Sequence, residues 1–270
     1  MMKPTLFVLG SGSRGNCLAF AAGGEVLLID AGFSCREIER RAEQVGLSID
    51  RITALVITHE HGDHSGGAAR LLRRRGVPVL TSGGTWKSLQ SRFPDGTMHH
   101  TVGMSGTVEL GPFRIDACPT SHDAAESVAV VVRAGGVSIG VAYDLGRPTS
   151  AVRYLLRDCT ALVLEANYDE IQLRTSGYPP VVQQRIAGST GHLSNRAAAQ
   201  LIGSLLHPGL TMVVLAHLSE KCNSEESARR EVLTVLNRAR WEGVLHVARQ
   251  DEPLHPLPIP QPMVLSLDLF

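Results

Sequence analysis

Ile52-Thr53-Ala54-Leu55-Val56-Ile57-Thr58-His59-Glu60-His61-Gly62-Asp63-His64 is the stretch whose character decides the fold. Its first six residues are apolar, rich in β-branched side chains and followed by polar ones, which predicts a buried strand. Three histidines and two carboxylates then fall within six positions, where the strand gives way to a turn. Imidazole and carboxylate together suit zinc and other borderline first-row metals, and the H-x-H-x-D-H spacing supplies donors for two ions rather than one. His59 and His61 alternate, so on an extended segment they share a face. Gly62 lets the backbone turn sharply, which aims Asp63 and His64 at a neighbouring position.

The same device recurs along the chain. The strand Phe113–Cys118 runs through Pro119-Thr120-Ser121 into His122, the strand Val137–Tyr143 ends at Asp144, and Met212–Ala216 ends at His217. Four apolar strands that each deliver a donor to one edge make a constellation that no single member would make. Earlier, Leu6–Leu9 leads into Gly10-Ser11-Gly12-Ser13-Arg14-Gly15-Asn16, a loop whose backbone donors can approach a phosphate, though such loops are also ordinary turns. Val26–Asp30 is a further strand, and Asp30 either orients a metal-binding histidine or caps the helix that follows.

Helical spacing is expected over 34–45, 65–75 (stopped by Gly76), 179–187, 196–206 and 223–240, with a terminal strand over 263–267. Gly191-His192-Leu193-Ser194-Asn195 opens one of these helices, with Ser194 or Asn195 as its cap and with backbone donors able to receive an anion.

The chain has 270 residues, 43% of them hydrophobic, and no long apolar run or signal-peptide pattern near Met1-Met2-Lys3-Pro4. This predicts a single domain over 1–270, built from two pseudo-equivalent halves, cytoplasmic and without a membrane span. Its five cysteines lack C-x-x-C spacing, which argues against a disulfide framework or a zinc knuckle. A formal net charge of zero argues against a generally basic nucleic-acid binder but leaves room for a local basic rim.

Taken in order, H-x-H-x-D-H, His122, Asp144 and His217 resemble the metal motifs of the metallo-β-lactamase fold superfamily. Ser11–Asn16, Glu165-Ala-Asn-Tyr-Asp169, Gly191–Asn195 and His217-Leu-Ser-Glu-Lys-Cys-Asn223 look more narrowly like its YycJ/WalJ-type subgroup. The resemblance implies an α/β fold, a four-layer αββα sandwich, with two divalent metal ions between the inner sheet edges; zinc is the first candidate and manganese the second. It assigns His59, His61 and His122 to one ion, Asp63, His64 and His217 to the other, and Asp144 to both. It implies a phosphodiesterase, of the 5′-to-3′ DNA exonuclease type, in which water held between the ions attacks phosphorus. The alternative is a small-molecule hydrolase, such as a PhnP-like cyclic phosphodiesterase, a lactonase or a thioesterase.

Asp63 and His192 are then the candidate catalytic residues, His192 as proton donor to the leaving oxygen with Glu165 as its orienting partner. Ser11, Ser13, Arg14, Asn16, Ser194 and Asn195 are the candidate substrate contacts. The expected partner is nucleic acid, DNA ahead of RNA, and a homodimer would help to build a groove for it.

Overall fold

The computed structural model describes residues 3–103 and 106–261. Its frame is two seven-stranded sheets packed face to face. The first takes β1 (Thr5–Gly10), β2 (Cys17–Ala22), β3 (Glu25–Ile29), β4 (Ile52–Val56), β5 (Val79–Thr81) and β6 (His99–Thr101). The second takes β7 (Val108–Leu110), β8 (Phe113–Pro119), β9 (Val128–Ala134), β10 (Val137–Ala142), β11 (Ala161–Glu165), β12 (Met212–Ala216) and β13 (Val244–Val247). A two-residue strand, β14 (Leu257–Pro258), closes the β1 edge of the first sheet.

Both sheets are covered on both faces, so their strands read as continuous apolar runs rather than as alternating ones. Along β12, Met212, Val214 and Ala216 enter the core between the sheets, while Val213 and Leu215 enter the core under the helices. In β3, Leu27 and Ile29 face inward and Val26 and Leu28 outward. The outer face of the first sheet is covered by α1 (Cys35–Gln44), the short α2 (Gly62–Ser65) with α3 (Ala68–Arg75), and α4 (Gly83–Leu89). The second sheet carries α5 (Ser150–Leu156), α6 (Glu170–Thr175), α7 (Pro180–Ile186), α8 (Asn195–Ser204) and α9 (Glu225–Arg238). This is the expected four-layer helix–sheet–sheet–helix arrangement.

The two halves share a topology. Antiparallel β2–β3 turns on Gly23-Gly24 and antiparallel β9–β10 on Gly135-Gly136, all four with positive φ, as a tight hairpin of matching twist requires. Parallel strands then follow each hairpin: β4, β5 and β6 in one half, β11, β12 and β13 in the other. Asp30 and Asp144 occupy equivalent places just beyond the two hairpins, and both adopt left-handed backbone angles.

The expected helix over 65–75 is instead two pieces. At Gly67 the amide leaves the helical ladder to donate to Ala31 O at 2.7 Å, tying the metal-motif turn to the end of β3. Of the two candidate caps for α8, Ser194 is the one used; its hydroxyl accepts from the Ala197 amide. The expected strand over 263–267 lies outside the described residues. No helix among the described residues is long and apolar enough to cross a membrane.

Candidate metal centre

Strand ends build this site. His59 follows β4, His122 follows β8, Asp144 follows β10 and His217 follows β12, while Glu165 is the last residue of β11. Asp144 and His217, like Asp30, have positive φ, a conformation costing about 1–2 kcal/mol per non-glycine residue. Local bonds hold each one. The Asp30 amide donates to Val56 O, the His217 amide donates to Ser11 Oγ at 2.9 Å, and the Leu145 amide beside Asp144 donates to Glu165 Oε2 at 2.8 Å.

The seven residues expected to hold metal converge. His59, His61 and His122 form one set of donors and Asp63, His64 and His217 another, each with its ligand atoms within 4.8 Å of one another. Asp144 spans them: Oδ2 lies 2.9 Å from His64 Nε2 and 3.6 Å from His59 Nε2, and Oδ1 lies 3.6 Å from His217 Nδ1 and 3.8 Å from His122 Nε2. Asp63 Oδ2 is 3.2 Å from His217 Nε2 and 3.4 Å from His64 Nε2.

The donor set fits divalent cations. Both His59 Nε2 and Asp144 Oδ2 are buried with no hydrogen-bond partner, an arrangement that costs free energy unless something else satisfies them. His61 Nδ1 and His122 Nε2 face each other at 3.3 Å. Acceptors behind the imidazoles also fix their tautomers. His64 Nδ1 donates to Asp30 Oδ2 at 2.7 Å, His122 Nδ1 to Thr190 O and Gly191 O at 3.2 and 3.3 Å, and His217 Nδ1 to Glu165 Oε1 at 3.3 Å. In each case Nε2 keeps its lone pair for a cation. Burial, reinforced by the neighbouring His64, lowers the pKa of His59 well below the ordinary imidazole value and leaves it neutral, as a ligand must be.

Asp30 therefore orients His64 rather than capping a helix; Ser34 caps α1. It is wholly buried and also accepts from the Thr58 amide and hydroxyl. Gly32 is indispensable for a different reason: a Cβ there would stand 1.8 Å from Asp63 O and 2.7 Å from the Asn16 amide. Gly32→Ala is expected to push the turn at Asp63 outward, lowering the melting temperature by ~10 °C and metal affinity by about tenfold or more. Calorimetry and metal titration check this; an unchanged melting curve would refute the close packing of the two loops.

His192, the expected proton donor, stands beside the centre. Its Nδ1 donates to Glu165 Oε1 at 2.6 Å and lies 3.1 Å from Asp144 Oδ1. Burial opposes its charge, but Glu165 and Asp144 outweigh burial and hold its pKa up at about 11. Glu165 itself is fully buried and accepts in addition from the Leu145 and Leu193 amides, so one carboxylate ties β10, β11, β12 and the His192 loop together.

The six expected substrate contacts differ in exposure and in what holds them. Ser11 and Asn16 are buried: Ser11 Oγ donates to Asn16 Oδ1, and Asn16 Nδ2 donates to Gly12 O and lies 3.1 Å from His64 Nε2. Ser194 is occupied as a cap and by Glu170, and Asn195 forms a reciprocal amide pair with Asn223. These four side chains hold the site in shape and are turned away from solvent. Arg14 is exposed but engaged by Glu220 and Asp251, which neutralise it. Of the six, Ser13 alone is exposed and has no side-chain hydrogen bond within the described residues. Residues that the sequence did not single out include Thr58 and Asn167, whose Nδ2 donates to His217 O at 2.8 Å.

Residues 26–218 match the family described as Beta-lactamase superfamily domain. A Bacillus anthracis protein named exodeoxyribonuclease YycJ is 31% identical over 233 residues, 85% of this chain and 88% of the relative. Exodeoxyribonuclease WalJ of Streptococcus pneumoniae is 28% identical over 236 residues, covering 86% and 88%. Among solved structures, the metallo-β-lactamase fold protein YhfI from Bacillus subtilis shares the fold at a TM-score of 0.71 and 17% identity, over 94% of this chain and 99% of that one. A likeness that runs through both sheets and takes in every strand-end donor leads to one conclusion: this chain belongs to the β-lactamase superfamily, as a hydrolase of the metallo-β-lactamase fold.

Proposed function

We propose that the protein is a metal-dependent phosphodiesterase, a nuclease of the 5′-to-3′ DNA exonuclease type. The observation that carries this is its likeness, over 85% of its length, to a relative named an exodeoxyribonuclease. The donor cluster supports the chemistry. His59, His61 and His122 would hold one divalent ion, Asp63, His64 and His217 a second, with Asp144 shared, zinc being the first candidate and manganese the second. Bound there, such ions supply positive charge for the phosphate oxygens and make water acidic enough to attack at neutral pH.

The chain's own residues then divide the remaining tasks. Asp63, its side chain 24% exposed, lies 3.2 Å and 3.4 Å from the Nε2 atoms of His217 and His64 and would stay ionised as their fellow ligand, so it can accept a proton from the attacking water. His192, whose side chain is 23% exposed, has Nδ1 committed to Glu165. Its Nε2 is therefore the nitrogen able to protonate the leaving oxygen.

Purified, metal-loaded protein incubated with 5′- and 3′-labelled single- and double-stranded DNA and RNA tests the reading. The expected result is early release of labelled mononucleotide from the 5′ end of DNA, with slower loss from the 3′ label. Hydrolysis of bis(p-nitrophenyl) phosphate without cleavage of any polynucleotide would overturn it in favour of a small-molecule hydrolase.

A further inference from the structure

Charge is distributed unevenly around the metal centre. Between Glu170 and Glu220 the sequence contains no aspartate or glutamate, while Arg174, Arg185 and Arg196 all lie there. Beyond Glu170, the exposed first residue of α6, that segment holds the rest of α6, α7 and the loop to α8, and it is fastened to the site. Thr190 O and Gly191 O receive the His122 proton, Ser121 Oγ donates to Ser189 O, and Arg185 pairs with Asp123, the neighbour of His122. The α6–α7 hairpin therefore forms a wall of the centre. Elsewhere near the centre charges of both signs stand, Arg147 being exposed three residues beyond Asp144. Glu60 accepts from the Ala125 amide, Glu126 from the Gly84 amide, and Arg14 is neutralised by Glu220 and Asp251.

Arg185 is committed to Asp123, but other cations on the wall pair with no carboxylate among the described residues. Arg174 is exposed and bonds only to the backbone at Glu170 O, and Arg196 is exposed in the first turn of α8. Lys221, also exposed, lies 4.1 Å above the Tyr178 ring, four residues beyond His217. The same hairpin presents Ile171 and Val181, 65% and 70% exposed, and carries Leu173 of a small buried cluster with Tyr168 and Cys222. Exposed cations together with exposed apolar side chains match a polynucleotide strand, whose phosphates need positive charge and whose sugars and bases offer apolar faces.

Building on the nuclease reading above, we infer that the α6–α7 hairpin, with Arg174, Arg196 and Lys221, is the surface along which a single nucleic-acid strand lies as its end enters the metal centre. The strand is held through its phosphates by those three cations and through its sugars by Ile171 and Val181.

The test compares the wild-type protein with an Arg174→Ala/Arg196→Ala/Lys221→Ala variant. Fluorescence anisotropy reads their binding to a 5′-phosphorylated, phosphorothioate-linked single strand, which resists cleavage, across a salt series. The expected result is a dissociation constant raised about tenfold or more, with the log–log salt slope reduced by about 2, three lost phosphate contacts at ~0.7 each. Turnover of bis(p-nitrophenyl) phosphate should stay within about twofold of wild type, since that diester is too small to reach the wall. Unchanged binding and slope would overturn the inference while leaving the nuclease reading in place. Equal loss on the small diester would also overturn it, by making the hairpin scaffold. A wild-type protein that neither binds nor cuts the strand would remove the nuclease reading and the wall with it. If Ile171→Ser/Val181→Ser dissociates a dimer and leaves strand binding intact, the apolar pair is a contact between copies and the inference fails.

Discussion

Asp144→Asn is expected to reduce turnover of any phosphodiester by about a thousandfold or more and to lower the metal content of the purified protein. Within the described residues, this is the side chain that reaches both donor sets: one carboxylate oxygen faces His59 and His64, and the other faces His122, His192 and His217. Asparagine keeps the shape but removes the negative charge and one acceptor oxygen, so the two sets lose their common member. A metal centre contributes several kcal/mol of transition-state stabilisation, and each 1.36 kcal/mol is about tenfold in rate. Asp30→Asn provides the contrast. Asp30 touches the centre only through His64 Nδ1, so an effect of about 10- to 100-fold on metal affinity is expected. Elemental analysis and steady-state kinetics on bis(p-nitrophenyl) phosphate measure both variants. Asp144→Asn protein that keeps its full metal complement and its turnover would show that Asp144 is not the shared residue.

Much of this centre was legible in the sequence because chemistry and fold coincide at strand ends. His59, His122, Asp144 and His217 each follow an apolar run, and such a run buried on both faces is conspicuous without any knowledge of its partners. What surrounds the donors was much less visible. Ser11 meets His217, and Gln250 meets Arg14, across more than two hundred residues, and nothing local in either segment announces the contact. The glycine-rich loop looked like a phosphate cradle because its composition permits one. Its side chains also fasten the two sheets, with Asn16 facing inward, Ser11 on the His217 amide and Arg14 held by acids. Asp30 shows how an open alternative is resolved, since capping and orienting both call for a carboxylate after a strand, and only the position of His64 in space decides between them. The short strands β6 and β14 escaped for want of length: two or three residues show no periodicity, and their pairing comes from neighbours distant in sequence.

The last expectation concerns the proton that the leaving oxygen needs. His192→Gln is expected to slow cleavage of a DNA linkage by ~10²- to 10⁴-fold, the ordinary worth of a positioned general acid, yet to slow bis(p-nitrophenyl) phosphate far less. The difference lies in the leaving group: an alkoxide departs poorly without a proton, whereas p-nitrophenolate is a stable anion and needs none. Geometry favours His192 for this task because Glu165 holds its Nδ1 at 2.6 Å and keeps the imidazole charged, leaving Nε2 as the donor. Glu165→Gln should produce the same substrate-dependent loss with an additional one. The remaining side-chain oxygen would stay on the Leu145 and Leu193 amides, so the new NH₂ would face Nδ1 of both His192 and His217. Neither imidazole could then donate at Nδ1, and His217 would carry its proton on the nitrogen that faces Asp63. Weaker metal binding is therefore expected for Glu165→Gln and not for His192→Gln. If His192→Gln slows both substrates to the same extent, His192 holds the site together and does not supply the proton.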